Sequence, residues 1–410
     1  MINLYCHTNQ NSRWVSNYEV KLNEELSGWH TGHFLDALNC KELFNPTTYD
    51  TNSKDGYYVI FYGSSLTLNQ HLGLVLLTPE IIDKVNQGLL KLLLIYVHET
   101  FDTSKTVDDW TLDLLQQLNG IGIYKENSVV FFTSTDIKVR AVNDNRLQWI
   151  YYPWFEFALK LYLNNPPPKI DFSIKDRILI NLNSQGRQHR LLLVMFLYYR
   201  NLIEKSYVSW HDEDKNTWDK TSKRTPGQFQ IGFELEKADQ DLLEFYLFVK
   251  GFNLPVSTLD HDPFTDHEKS WNGADEYYKK SCIEIVSETK GKVYNNTVFL
   301  TEKSFKPVFY GLPFIINGPQ YHLEGIQQLG YQTFPELIDE SYDQLPSSVE
   351  KVLGIGKQIE KLCNDPHLLQ KIQLPEILEK LQYNQSLFWT RPHQKLIHQK
   401  LFESLIKNHA

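Results

Sequence analysis

Short apolar runs alternate along this chain with longer stretches in which apolar residues recur at helical spacing. The runs at 57–62 and 89–97, the second broken only by Lys91, predict buried strands, and 128–133 and 148–152 predict two more. Between them the leucine-rich segment 107–118 predicts a helix, and Trp29-His30-Thr31-Gly32-His33 reads as a loop that opens an earlier one. A strand at 177–182, the loop Asn183-Ser184-Gln185-Gly186, a helix at 187–203 and a strand at 207–210 then make a βαβ unit. Further on, 283–286 and 297–300 read as strands, or as a strand and an extended approach. A helix is predicted from 301 to about 310, where Gly311 supplies the stop and Pro313 prevents continuation. The run 314–316 is a core strand closed by Asn317-Gly318-Pro319.

Strands that alternate with helices predict α/β domains with parallel sheets. The one evident linker is Asn164-Asn165-Pro166-Pro167-Pro168, because consecutive prolines cannot continue a helix and favour a stiff, extended connector. The expected architecture is therefore two Rossmann-like domains facing across a cleft, at 1–165 and 170–345. A helical segment at 346–410, apolar and charged at helical spacing, is expected to pack across both. Open α/β sheets bind ligands beyond the carboxyl ends of their strands, so a cleft of this kind brings two sets of strand-end loops together.

Composition narrows the function classes. A chain of 410 residues fits two cores better than one, and 41% hydrophobic with 22% charged residues is a globular balance. A net charge of -9 without a long basic run disfavours nucleic acid as a partner, although an acidic total can hide a local basic groove. Cys6, Cys40, Cys282 and Cys363 lie far apart and form neither a disulfide framework nor a zinc knuckle, so a reducing cytoplasm is the expected compartment. The N-terminus shows no basic region leading into an apolar run. The longest apolar run is far shorter than the roughly 20 residues that span a bilayer, so no membrane span is expected. The 23 Tyr and 9 Trp suit stacking on sugar faces, and equally suit a large aromatic core.

Two basic helix starts carry the candidate chemistry. Thr301 can cap the helix that follows it, and Lys303 then lies in the first turn, where the helix dipole repels a cation. A cation at an anion-binding helix end points to a missing phosphate, and Glu302 beside it suits the hydroxyls of a ribose. The same residues also read as a capped surface helix with a Glu–Lys pair. The second start, Gly186-Arg187-Gln188-His189-Arg190, again sets cations against a dipole, with guanidiniums suited to gripping phosphate oxygens. A solvated basic patch is the alternative.

The segment 283–343, IEIVSETKGKVYNNTVFLTEKSFKPVFYGLPFIINGPQYHLEGIQQLGYQTFPELIDESYD, resembles the donor-binding half of fucosyltransferase-like glycosyltransferases. In these a glutamate-bearing strand, Ile285-Val286-Ser287-Glu288 here, precedes a Thr-Glu-Lys helix start. It is more similar still to a group of phage and bacterial proteins with TEK-x-x-KP and a later DESYD. The segment NLNSQGRQHRLLLVMFLY resembles their basic loop and helix, and the similarity spans about residues 176–345. The resemblance, and not any residue spacing, implies an inverting GT-B glycosyltransferase, with Glu302 on the ribose, Lys303 on the pyrophosphate, and Arg187, or alternatively Arg190, as the arginine. Glu288 and Thr301 complete the expected donor-binding set. The chain departs from the family at Phe299-Leu300 and at Ser287-Glu288-Thr289, so the resemblance specifies neither base nor sugar.

An inverting transfer needs a carboxylate to take the acceptor proton, expected from the first domain. Glu99, just past the strand at 89–97, is the first candidate, with Asp102, His30 and His33 as others. Asp339-Glu340 reads as a structural or donor-loop segment more than as metal ligands, and His261-Asp262 with Asp266-His267 as a solvated acidic loop. The combined expectation is metal-independent transfer, without a cofactor, from a nucleotide sugar to a carbohydrate or other hydroxyl acceptor. A noncatalytic nucleotide-binding protein and a phage enzyme that glycosylates modified DNA bases are the alternatives.

Overall fold

A computed structural model describes residues 1–6, 42–61, 77–96, 107–134, 144–163, 165–183, 187–209, 240–251, 274–289, 298–345 and 348–406. The chain divides into two compact units, one from Met1–Leu161, Tyr294–Phe299 and Arg391–Ala410, the other from Tyr162–Val293 and Leu300–Thr390.

The first unit holds six parallel strands: β1 (Ile2–Cys6), β2 (Phe44–Thr48), β3 (Gly56–Phe61), β4 (Leu90–Tyr96), β5 (Val129–Thr133) and β6 (Leu147–Tyr151). Their order is β2-β1-β3-β4-β5-β6. Side chains alternate along a strand, so the continuous apolar run of β4 serves two faces. Leu93 and Ile95 join a core with Trp154, Phe155 and Ala158 of α3 (Trp154–Leu163) and with Ile397 and Leu401 of the helix His393–Ile406. Leu92 and Leu94 join a second core with Ile81 and Val85 of α1 (Pro79–Asn86) and Leu114 and Leu118 of α2 (Val107–Gly120). Lys91, the polar break in that run, is buried, and its ammonium donates to the Ser404 carbonyl. The helix that contains Ser404 is held further by the Tyr57 hydroxyl, which donates to Leu401 O at 2.7 Å.

The second unit is built on β7 (Arg177–Leu182), β8 (Ser206–Ser209), β9 (Ser281–Ser287) and β10 (Phe314–Asn317), all parallel, in the order β10-β9-β7-β8. Its helices are α4 (Gln188–Tyr199), α5 (Gln240–Gly251), α6 (Asp275–Lys280), α7 (Glu302–Tyr310), α8 (His322–Gln328), α9 (Ser348–Cys363), α10 (Leu368–Ile372) and α11 (Pro375–Thr390). Every residue of β9 is buried, as a central parallel strand requires. Leu191 to Leu197 of α4 are likewise buried. Helix α7 ends as its sequence predicts: Gly311 takes the left-handed φ of 65°, and Leu312 N–H returns to Pro307 O at 2.9 Å.

Mixed α/β architecture with parallel sheets is what the hydrophobic pattern predicts, and β3 to β10 fall on predicted runs, whereas β1 and β2 lie where no strand is predicted. At 297–300 the described part of the run holds only an isolated bridge at Val298, followed by an extended approach to α7. The segment 346–410 is shared between units, with α9, α10 and α11 in the second and the helix His393–Ile406 in the first. Among the described residues no helix is long and apolar enough to cross a membrane.

Candidate functional site

In the second sheet the chain steps outward from the centre in both directions, from β7 to β8 on one side and from β9 to β10 on the other. The carboxyl ends of β7 and β9 therefore flank the point where strand order reverses, the place where open α/β sheets bind ligands. Asn183 follows β7, Glu288 follows β9, and Asn317 ends β10.

Glu288 is the hub of this edge. Its carboxylate is fully buried, with Oε2 accepting from the Thr301 hydroxyl at 2.6 Å and Thr289 N–H at 3.0 Å. Its Oε1 accepts from Thr301 N–H at 3.2 Å and from the Ser304 hydroxyl. Burial pushes the carboxyl upward, but the His322 imidazole, the Lys303 charge and the Ser304 hydroxyl outweigh it and hold the group well below the usual range. The Thr301 hydroxyl in turn accepts from Lys303 N–H at 3.3 Å, the cap predicted for α7. Glu288 and Thr301, expected to contact a donor, have these atoms engaged within the protein. Their place is to fix the start of α7.

The main chain of Glu288 is fixed as firmly. Its carbonyl accepts from His189 Nε2 at 2.8 Å and from Nε and Nη2 of Arg190 at 3.1 and 2.8 Å. Burial, with the Arg190 charge beside it, drives the His189 imidazole down to about 3, so it serves as a neutral donor. Arg190 is only 2% exposed. Of the two arginines considered for a phosphate, Arg190 is thus committed to joining α4 to the end of β9.

Arg187 and Lys303, both among the described residues of this edge, keep partial solvent access. Arg187 is half-buried at the N-cap of α4, and its guanidinium donates to the Thr289 carbonyl. Lys303 lies in the first turn of α7 with its side chain 22% exposed, its ammonium 3.5 Å from the Thr289 hydroxyl and paired with the Glu302 carboxylate, itself 13% exposed. Two cations from two helix starts therefore converge on one residue, with a carboxylate beside them. An anion with several oxygens fits such a pair, since the positive helix ends add to both formal charges.

The acidic segment after α8 is structural. Asp343 caps α8 by accepting from His322 N–H at 3.1 Å and Leu323 N–H at 3.0 Å, and is paired with buried Lys351 at 2.9 Å. Glu340 accepts from the Thr333 hydroxyl at 3.0 Å and Phe334 N–H at 2.8 Å, and Asp339 accepts from Ser341 N–H at 3.0 Å. Among the described residues no three His, Cys, Asp or Glu side chains are grouped to hold a metal ion. Glu99 and Asp102, with His30, His33, His261, Asp262, Asp266 and His267, lie outside the described residues.

Several further residues build this edge. Ser304 completes the Glu288 cage one turn into α7. His322 is fully buried with Nε2 3.8 Å from Glu288 Oε1, too far for a hydrogen bond. A side chain at Gly318 would bring its Cβ within 3.2 Å of Glu288 Cβ and 3.3 Å of His322 Cγ, so glycine lets this backbone close over both. Of these, only Gly318 stands out beforehand, through its place in Asn317-Gly318-Pro319. Comparison with known proteins finds no family model that matches the chain and no similar curated protein.

Proposed function

We propose that this chain is a nucleotide-sugar-dependent glycosyltransferase of the GT-B type, with donor binding in the second unit. The observation that carries the reading is the convergence of Arg187 and Lys303 on Thr289 at a topological switch point. As the bond from the sugar to the diphosphate breaks, negative charge gathers on the leaving oxygens. Two cations held at helix N-termini, in place before the reaction, stabilise that charge without reorganising. Glu302, beside Lys303, takes the ribose hydroxyls, and its pairing with Lys303 gives way to the bound nucleotide.

The first unit is assigned the acceptor and the base, with Glu99 and Asp102 as the sequence candidates for the carboxylate that takes the acceptor proton. Direct displacement by that hydroxyl inverts the anomeric centre. Carbohydrate is the favoured acceptor class, in keeping with the net charge of -9.

The test is a thermal-shift panel of UDP, GDP, CDP, CMP and their sugars. One nucleotide should raise the melting temperature in a concentration-dependent way, because binding to the folded state alone stabilises it. Lys303→Ala should remove that shift and abolish transfer while leaving the ligand-free melting temperature close to that of the parent. Silence across the whole panel, or full activity in Lys303→Ala, overturns the proposal. Slow hydrolysis of the bound donor distinguishes an enzyme from a module that only holds nucleotide.

A further inference from the structure

Asn181 and Asn183 project from the carboxyl end of β7 and are both buried, at 0% and 1% exposure. Their amide orientations follow from one another. The Ile285 carbonyl can only accept, so the atom of Asn181 at 2.6 Å from it is the nitrogen, which also donates to the Ser287 hydroxyl at 3.0 Å. The Asn181 oxygen must then face Asn183, whose nitrogen donates to it at 2.7 Å and to the Ser209 carbonyl at 3.2 Å. Flipping Asn183 would set oxygen against two acceptors. Its Oδ1 is therefore fixed in place and buried, and among the described residues it has no hydrogen-bond partner.

Leaving a buried carbonyl oxygen unsatisfied forfeits the hydrogen bonds it made in water, and native proteins rarely tolerate it without cause. The hydrogen bonding around this oxygen is extensive: Asn183 N–H itself bonds Ser209, to the carbonyl and to the hydroxyl, both at 3.2 Å. Asn183 lies at the switch point, just past the strand whose following helix has Arg187 at its N-cap, a residue that supplies no side-chain cap to that helix. The edge thus offers donors for phosphate oxygens and, from β7, one rigid acceptor.

We infer that Asn183 Oδ1 is a subsite for a hydroxyl of the bound nucleotide sugar, accepting its hydrogen while Arg187 and Lys303 hold the diphosphate. The inference rests on the nucleotide-sugar reading above and adds to it a specificity residue. The hydroxyl belongs either to the ribose or to the transferred sugar, and both present the same O–H group. Because Asn183 is held by two donations of its own, it cannot turn to offer an N–H instead. The subsite therefore rejects a ligand that places an acceptor, or nothing, at this point, as buried polar sites reject analogues that leave them unpaired.

The experiment measures binding of UDP, GDP, UDP-glucose and GDP-mannose, and of the 2′-deoxy and 3′-deoxy forms of the two diphosphates, to the full chain and to Asn183→Ala. If none of these binds, or Lys303→Ala binds them as well as the parent does, it is the nucleotide-sugar reading that fails. Where binding does depend on Lys303, Asn183→Ala should weaken it about tenfold. A ribose hydroxyl is identified if a deoxy diphosphate binds the parent about tenfold more weakly and Asn183→Ala no differently. A sugar hydroxyl is identified if the Asn183→Ala deficit appears with a nucleotide sugar and is absent with its diphosphate. The inference is overturned if Asn183→Ala matches the parent for every ligand, or loses the same factor on all of them. Should Asn183→Ala fail to fold, the parent decides: affinity unchanged by either ribose deletion and by the presence of the sugar overturns it.

Discussion

The Thr301 hydroxyl donates to Glu288 Oε2 at 2.6 Å while accepting from Lys303 N–H at 3.3 Å. One hydroxyl thus links a buried carboxylate to the first turn of α7 and to the residue that presents the ammonium. The anchoring runs from the end of β9 outward, with Glu288 held by its carboxylate on the α7 side and by its carbonyl on the α4 side. Glu288 therefore ties together the two helix starts that bear Arg187 and Lys303.

Removing that charge should weaken the fold in a pH-dependent way. The folded-state carboxyl of Glu288 is held below its usual value of 4.5, so its stabilisation is present above that value and is lost as pH falls through the lowered one. Glu288→Gln keeps the shape but leaves donors facing an amide, and should cost about 2–4 kcal/mol at neutral pH. Urea denaturation of parent and variant at pH 7 and below pH 4.5 checks this. The gap between them should narrow in acid, and a gap that widens contradicts the assignment.

Arg187 and Arg190 stand three positions apart and should respond in opposite ways. Arg190→Ala strips two donors from the Glu288 carbonyl in a buried setting and should lower stability by about 2–4 kcal/mol. Arg187→Ala removes a half-buried group and should leave the melting temperature within about 2 °C, while weakening binding of the nucleotide found by thermal shift at least about tenfold. A single pair of melts with and without nucleotide distinguishes the two arginines.

The fold was largely legible because parallel strands, buried on both faces, are written as continuous apolar runs. The strands missed are the ones that break this rule. Phe44–Thr48 contains Pro46 and is an edge strand of its sheet, where a missing N–H is tolerated. Ile2–Cys6 carries Asn3 on a run too short to show a period. In the site, Thr301 and Gly311 were legible as local signals, a cap and a stop. The choice between Arg187 and Arg190 was not, because it depends on the Glu288 carbonyl, about a hundred residues away in the chain. The role of Glu288 itself was hidden for the same reason, since a carboxylate in sequence does not disclose how many donors surround it.

A second buried carboxyl, Glu284, should titrate in the opposite sense. Burial raises it above its usual 4.5, while the Tyr278 hydroxyl, donating at 2.9 Å, and the Lys306 charge only partly offset that, and Glu288 adds to it. The folded protein then keeps a proton that the unfolded chain has lost, so stability falls as pH rises from 4.5 toward the raised value. Glu284→Gln mimics the protonated form and should flatten this slope. Measured by urea denaturation, the variant should gain about 1–2 kcal/mol on the parent between pH 5.5 and pH 8. An equal gap at both pH values refutes the raised carboxyl.

The first unit depends on a helix contributed by residues more than two hundred positions beyond its last strand. The Tyr152 hydroxyl stands 2.6 Å from His393 Nδ1 at the start of that helix, and Lys91 and Tyr57 bind its carbonyls near the other end. Burial pushes the His393 imidazole well down, helped by Lys160 and Arg391, so the ring is neutral and its hydrogen bond to Tyr152 persists into mildly acidic conditions. Tyr152→Phe leaves that nitrogen buried and unpaired and should cost about 1–2 kcal/mol. Ile397→Ala empties a fully buried site in the core under β4 and should cost about 2–4 kcal/mol. Amide exchange reads the consequence by unit. Protection should drop first in β3, β4 and β5, whose faces this helix covers, and should hold in β7 and β9. Equal loss in both sheets would show that the helix supports the whole chain and not the first unit alone.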